Sequence, residues 1–147
     1  MRTIKFITGV RNIFFSVLTI IVMASFASCA RKETFLTSAV VPAARGDVKI
    51  KRDHNRNYII QIKITNLAEV GRLQPAKHAY IVWMISDQNV IKNIGQINSS
   101  TGSFTENLKA TFETVSSSKP VKIFISAEDD VSAQSPGMQV VLSTDQF

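Results

Sequence analysis

The side chains able to do chemistry are few and scattered. The 147 residues include one cysteine, Cys29, and two histidines, His54 and His78. A lone thiol closes no internal disulfide, and two isolated histidines without a second thiol lack the spacing of a zinc site. His54 falls in a polar turn and His78 ahead of a strand, where each reads as a surface residue. Glu128-Asp129-Asp130 offers the hard oxygen ligands that Ca2+ takes. It lacks the spaced Asp-x-Asp-x-Asp-Gly order of a calcium loop, and a solvated loop at a strand end explains it as well. Hydrolysis needs a nucleophile, a base and an orienting group within reach, yet the Ser and Thr residues lie in generic loops with no nucleophile elbow. Paired carboxylates for glycoside cleavage are not excluded by spacing, but nothing supports them. The expectation is no enzymatic activity, no cofactor and no resident metal.

Cys29 gains meaning from what precedes it. Residues 1–11 are short and basic, and residues 13–26 form an almost wholly apolar run of about 14 residues. That is shorter than the roughly 20 needed to cross a hydrocarbon core and fits the apolar region of a secretory signal. Phe26-Ala27-Ser28-Cys29 then resembles the lipobox of bacterial lipoproteins, with Phe26 where Leu is usual. The resemblance implies a signal peptide over residues 1–28, a diacylglyceryl group on the Cys29 thiol, and a lipidated tether over residues 29–34. The alternative is an idle cysteine in an ordinary membrane anchor. One acyl chain holds a protein only marginally, whereas two or three, at ~0.8 kcal/mol per buried methylene, make attachment lasting. The longest later apolar run, residues 79–85, is too short to span. Residue 30 is Ala; the best-known lipoprotein sorting rule retains proteins with Asp there at the inner membrane, so the outer membrane is the expected location.

The formal net charge is +6. Arg2, Lys5 and Arg11 lie in the leader, so the chain beyond residue 28 holds 14 basic and 11 acidic side chains and is only mildly basic. The distribution is uneven, with ten Lys or Arg against four acids over residues 31–77. Lys49, Lys51 and Lys63 point to one side if this region is a hairpin, and with Arg52 and Arg56 they make a positive stripe. Such a stripe can meet lipid phosphates or an anionic glycan. A solvated outer face, with lysines guarding an edge, is the alternative. Nucleic acid is not an expected partner outside the cytoplasm.

These residues need a scaffold, and the periodicity of the chain is two rather than 3.6. Val48 and Ile50 alternate with lysines; after the polar turn 53–57, Tyr58, Ile60, Ile62 and Ile64 resume the pattern, which predicts a hairpin. Residues 79–85 are apolar on both faces and predict a central strand that buries Trp83, the only Trp. Further strands are predicted at 90–97, around 108–113, from Pro120 onward and over 138–143, with a first strand near 35–41. Residues 67–73 predict a loop with one helical turn. Seven or eight short strands over residues 35–147, with turn signals and no helices, predict a single all-β domain, an immunoglobulin-like antiparallel β-sandwich.

Tyr80-Ile81-Val82-Trp83-Met84, Lys92-Asn93-Ile94-Gly95-Gln96-Ile97, the segment ending Ser126-Ala127-Glu128, and Pro136-Gly137 resemble the extracytoplasmic C-terminal domain of anti-sigma-K-type factors. That family has a Tyr-x-x-Trp strand, an Asn-x-Gly turn, a Ser-x-Glu segment and a Pro-Gly before its last strand. The similarity covers residues 79–143. With Pro42-Ala43-Ala44-Arg45-Gly46 and Asn66-Leu67-Ala68, the chain is closer still to a group of small uncharacterised bacterial lipoproteins carrying such a domain. The resemblance implies a fold and a location. The cytoplasmic sigma-binding domain and membrane helix of complete anti-sigma factors have no counterpart here, so sigma binding is not implied.

The sequence therefore predicts a non-enzymatic, lipid-anchored envelope protein whose domain is an interaction or structural module. Two alternatives stay open: an accessory sensor of an envelope signalling system related to anti-sigma factors, and a glycan- or lipid-binding lipoprotein. The expected partners are the membrane, through Cys29, and an envelope protein or anionic glycan.

Overall fold

A computed structural model describes residues 30–97, 100–101 and 108–147. The leader 1–28, Cys29 and most of the Ser-rich loop 99–103 lie outside the described residues. The strands are β1 (Arg31–Thr34), β2 (Arg45–Arg52), β3 (Tyr58–Thr65), β4 (Ala79–Ser86), β5 (Ile91–Ile97), β6 (Ser100–Thr101), β7 (Leu108–Ser116), β8 (Pro120–Glu128) and β9 (Val140–Ser143). They form two antiparallel sheets, β1-β2-β3-β7-β6 and β5-β4-β8-β9, here called A and B. The fold is an all-β sandwich, and its helical content among the described residues is one 3-10 turn at Val70–Arg72.

Local sequence explains the β2–β3 hairpin. Val48 stands opposite Ile62 and Ile50 opposite Ile60, so alternation sends one apolar row from each strand into the core. Asp53 closes the turn: its Oδ1 accepts the Asn57 N–H at 2.7 Å and its own N–H donates to the Asn57 carbonyl at 2.9 Å. Arg56 takes the left-handed conformation that closure requires, with φ 67°.

Strand β4 is apolar on both faces because both are covered. Tyr80, Val82 and Met84 join the core between the sheets. Ala79, Ile81 and Trp83 instead form a smaller cluster with Phe124 on the outer face of sheet B, against which Ala133 packs. The β8–β9 connection makes that cover. Asn93, on β5 at the far edge of sheet B, donates to the carbonyls of Val131 and Ala133 at 3.2 and 3.1 Å, so the connection crosses the outer face from one edge toward the other.

Gly95 meets the opposite sheet. Its φ is +138°, and a Cβ there would lie 2.8 Å from the Phe112 ring of β7. The β4–β5 pairing slips at this point, with Val82 opposite Gly95 but Trp83 opposite Asn93, leaving Ile94 as the extra residue of a bulge.

Three expectations need correction. The first strand is not at 35–41 but at Arg31–Thr34, which the sequence assigns to the tether. Residues 35–41 hold buried Phe35 and Val41 and so look strand-like, but the Ser38 hydroxyl accepts the N–H groups of Val40 and Val41 at 3.2 and 2.9 Å and turns the chain. Leu36 N–H bonds to the Ser143 carbonyl at 2.9 Å, so this segment bridges from sheet A to sheet B. The last strand is also shorter than expected, and among the described residues nine strands replace seven or eight because β1 and the two-residue β6 lack a hydrophobic pattern.

Candidate functional site

The register divides the basic stripe. Lys49 pairs with Gln61 and Asp47 with Lys63, so Lys49, Lys51 and Lys63 belong to the outward row of sheet A. That face is of mixed sign: Asp47 lies 3.6 Å from Lys32, and Gln61 donates to Glu113 at 2.8 Å. Arg52 belongs to the opposite row with Val48 and Ile50, and its guanidinium sits 5.3 Å from the Tyr58 ring centroid. Arg56 stands at the tip of the turn. Lys49 and Lys63 thus lie on the sheet face, Arg52 and Arg56 at one end of the sandwich, and Lys51, near the end of the outward row, borders both.

That end holds a small mouth of about 130 Å3 between the sheets. Sheet A contributes Arg31, Lys51, Arg52 and Tyr58, while the β7–β8 turn contributes Lys119 and the chain's last residue contributes the Phe147 ring. Residues 144–147 run beside β8, with Phe147 N–H donating to the Val121 carbonyl at 2.8 Å, which brings the ring back to β1. The Arg31 guanidinium lies 5.1 Å from its centroid. Ile50, 7% exposed, marks where the mouth meets the core. The sequence did not point to Arg31 or Lys119, because both are brought to Arg52 by strand register and sheet closure rather than by spacing.

The three consecutive carboxylates go to three different partners. Asp129 pairs with Lys77 at 2.6 Å. Asp130 accepts from the Ser132 N–H and hydroxyl, both at 2.8 Å, and these bonds hold its pKa below the ordinary value. Glu128 is not part of a solvated loop; it is 8% exposed and accepts from the Ser126 hydroxyl and, at 2.7 Å, from the Gly137 N–H. Ser126 in turn accepts the Trp83 indole N–H at 2.7 Å. Trp83, Ser126, Glu128 and Gly137 thus form one continuous hydrogen-bonded chain on the outer face of sheet B. Among the described residues no group of three His, Cys, Asp or Glu is placed to hold a metal ion. His54 is exposed in its turn. His78 is also exposed, with Nδ1 3.2 Å from the Asp129 carbonyl oxygen.

The opposite end of the sandwich carries two clefts of mixed lining, with Lys77 and Glu128 on one and Arg72 on the other. A cleft of about 430 Å3 is lined by Val40, Pro75, Met138 and Gln139 among others, and a neighbouring one of about 550 Å3 shares Val40 and Gln74 with it. Met138 is fully exposed, and the Gln139 side-chain oxygen is buried there with no hydrogen-bond partner among the described residues. No helix among the described residues is long and apolar enough to cross a membrane. Comparisons with protein-family models, with curated proteins and with solved structures find no match.

Proposed function

We infer that this chain is a non-enzymatic, lipid-anchored protein of the bacterial cell envelope whose sandwich is an interaction or structural module held close to the membrane. One observation carries the reading: Phe26-Ala27-Ser28-Cys29 is followed, after the single residue Ala30, by the paired strand β1. A lipid on Cys29 would therefore be joined to the sheet with almost no linker, and one end of the sandwich would face the bilayer while the clefts of the other, with exposed Val40 and Met138, faced away. Exposed apolar surface at an end remote from an anchor suits contact with another envelope protein. Ala30 favours the outer membrane.

The strand order supports an immunoglobulin-like type. Sheets β2-β3-β7-β6 and β5-β4-β8-β9, with the chain changing sheets after β3, β5 and β7, follow the order of that fold. Strand β1 is then an added edge. Trp83 departs from the antibody pattern, since it lies on the outer face of its strand rather than between the sheets.

An accessory sensor of envelope signalling is the second reading. It is favoured by the Tyr80, Trp83, Ser126, Glu128 and Gly137 pattern that resembles anti-sigma sensor domains, and it uses the same anchor. Expression of Cys29→Ser in a bacterial host tests the anchor that both readings share. The variant should lose labelling by a fatty-acid probe and leave the membrane fraction or accumulate unprocessed. Unchanged labelling and retention would refute the reading.

A further inference from the structure

We propose that the mouth formed by Arg31, Lys51, Arg52 and Lys119 docks the phosphate of an anionic membrane lipid headgroup and so orients the sandwich on the bilayer. The inference rests on the lipid-anchored reading and adds to it a site and a ligand class.

Placement comes first. Arg31 is two residues beyond Cys29, and an extended residue spans at most ~3.6 Å, so the Cys29 Cα is tied within about 7 Å of the Arg31 Cα, with the modified thiol one short side chain further. Strand β1 pairs antiparallel with β2, with Arg31 opposite Ile50, so the chain enters the sheet at the end where β2 finishes in Arg52. Ser86 pairs with Pro120 and Tyr58 with Ser116, which brings the β4–β5 and β7–β8 turns to the same end. An acylated Cys29 presents this end to the bilayer.

The chemistry of the end matches the surface it would meet. Among the described residues, four cations line the mouth and no acidic side chain does. The Arg31–Glu33 contact at 2.6 Å is the only ion pair that any of the four makes with a described residue. Arg31 and Arg52 are held over the Phe147 and Tyr58 rings. Stacking of this kind orients a guanidinium without neutralising it and leaves its edge as a fork of N–H donors. Such a fork fits phosphate oxygens in pairs. The volume of about 130 Å3 leaves room for a phosphate group. Val90, Ile91 and Val115, exposed by 44%, 45% and 58%, stand at the same end and supply apolar contacts for the headgroup boundary.

The test uses the mature protein purified from its membrane and placed in nanodiscs of phosphatidylcholine, with or without phosphatidylglycerol. Backbone amide exchange is read at residues 50–52, 119 and 121. Exchange should be slower by about fivefold or more in the anionic discs, the weight of one or more basic side chains at a charged surface. The slowing should disappear in Arg52→Gln/Lys119→Gln. It should persist in Lys49→Gln/Lys63→Gln, which removes equal charge from the sheet face. A second pair, Lys51→Gln/Lys119→Gln, leaves both stacked arginines in place and should also lose the slowing, which guards against misfolding as the cause. Identical exchange in both discs would overturn the site while leaving the anchor standing. Failure to enter either disc would overturn the anchor and the membrane-facing assignment with it. Equal slowing on adding glycerol phosphate to neutral discs would move the ligand from the bilayer to free phosphate and overturn the lipid assignment.

Discussion

The Trp83 indole N–H and the Ser126 hydroxyl oxygen are joined by a 2.7 Å hydrogen bond on the outer face of sheet B, not in the core between the sheets. The indole is fully buried there and stacks at 6.3 Å on Phe124, while the crossing β8–β9 connection covers the cluster. Residues that sequence comparison would read as a motif, Trp83, Ser126, Glu128 and Gly137, are thus the pins that hold a long connection to a sheet.

Trp83→Ala should cost about 3–5 kcal/mol, as large-to-small aromatic substitutions in cores do. Ser126→Ala should cost about 1–3 kcal/mol, because it leaves a buried indole N–H without its acceptor. Denaturant unfolding of each variant measures both. A Trp83→Ala protein that kept its melting temperature but lost binding to a glycan would make the indole a ligand platform instead.

Gly137 is required by closeness. A Cβ there would lie 2.7 Å from Glu128 Oε2, and that carboxylate is already fixed by Ser126 and by the Gly137 N–H. Gly137→Ala should therefore destabilise by about 1–3 kcal/mol, the usual range for overpacking, and should speed amide exchange across residues 129–139. Gly71 is the matched control, since nothing lies within 4 Å of a Cβ built there. Gly71→Ala should leave the melting temperature unchanged or slightly raised. Equal losses in the two variants would contradict the close-packing account.

Tyr80 predicts a pH dependence. Its hydroxyl donates to the Ala68 carbonyl at 2.9 Å, and burial pushes its pKa from 10.0 to about 12. The raised value means that the folded state disfavours the phenolate, so stability is fully present below pH 10 and falls as the pH rises toward about 12. Ultraviolet titration should show a phenol ionising near 12, and Tyr80→Phe should remove it along with that part of the alkaline loss. A phenolate at Tyr80 formed fully by pH 10 would contradict the packing described.

The parts of the fold legible in the sequence are those set by local rules. The β2–β3 hairpin shows itself by alternation and by the Asp53-to-Asn57 turn, β4 by its two apolar faces, β8 by Pro120, and the 3-10 turn by the break in pattern at 70–72. Strand β1 is hidden because Arg-Lys-Glu-Thr carries no apolar row; its place comes from pairing with β2 and from edge protection by charge. Residues 35–41 mislead in the opposite sense, since Phe35 and Val41 are buried but Ser38 turns the chain between them. The basic stripe was legible only in part. Alternation places Lys49, Lys51 and Lys63 in one row, but the mouth joins Lys51 to Arg31, Lys119 and Phe147, which are distant in sequence and are gathered by register and closure of the two sheets.

The chemistry of Cys29 decides both the anchor and the orientation, and the intact mass of the protein extracted from its membrane reads that chemistry directly. The predicted mass is that of a chain beginning at residue 29 plus a diacylglyceryl group, with or without a further acyl chain on the new amino terminus. Its amino-terminal peptide should carry that modification on Cys29. A chain that retains residues 1–28, or one that begins elsewhere with an unmodified thiol at Cys29, would contradict the anchor and with it the orientation assigned to the sandwich.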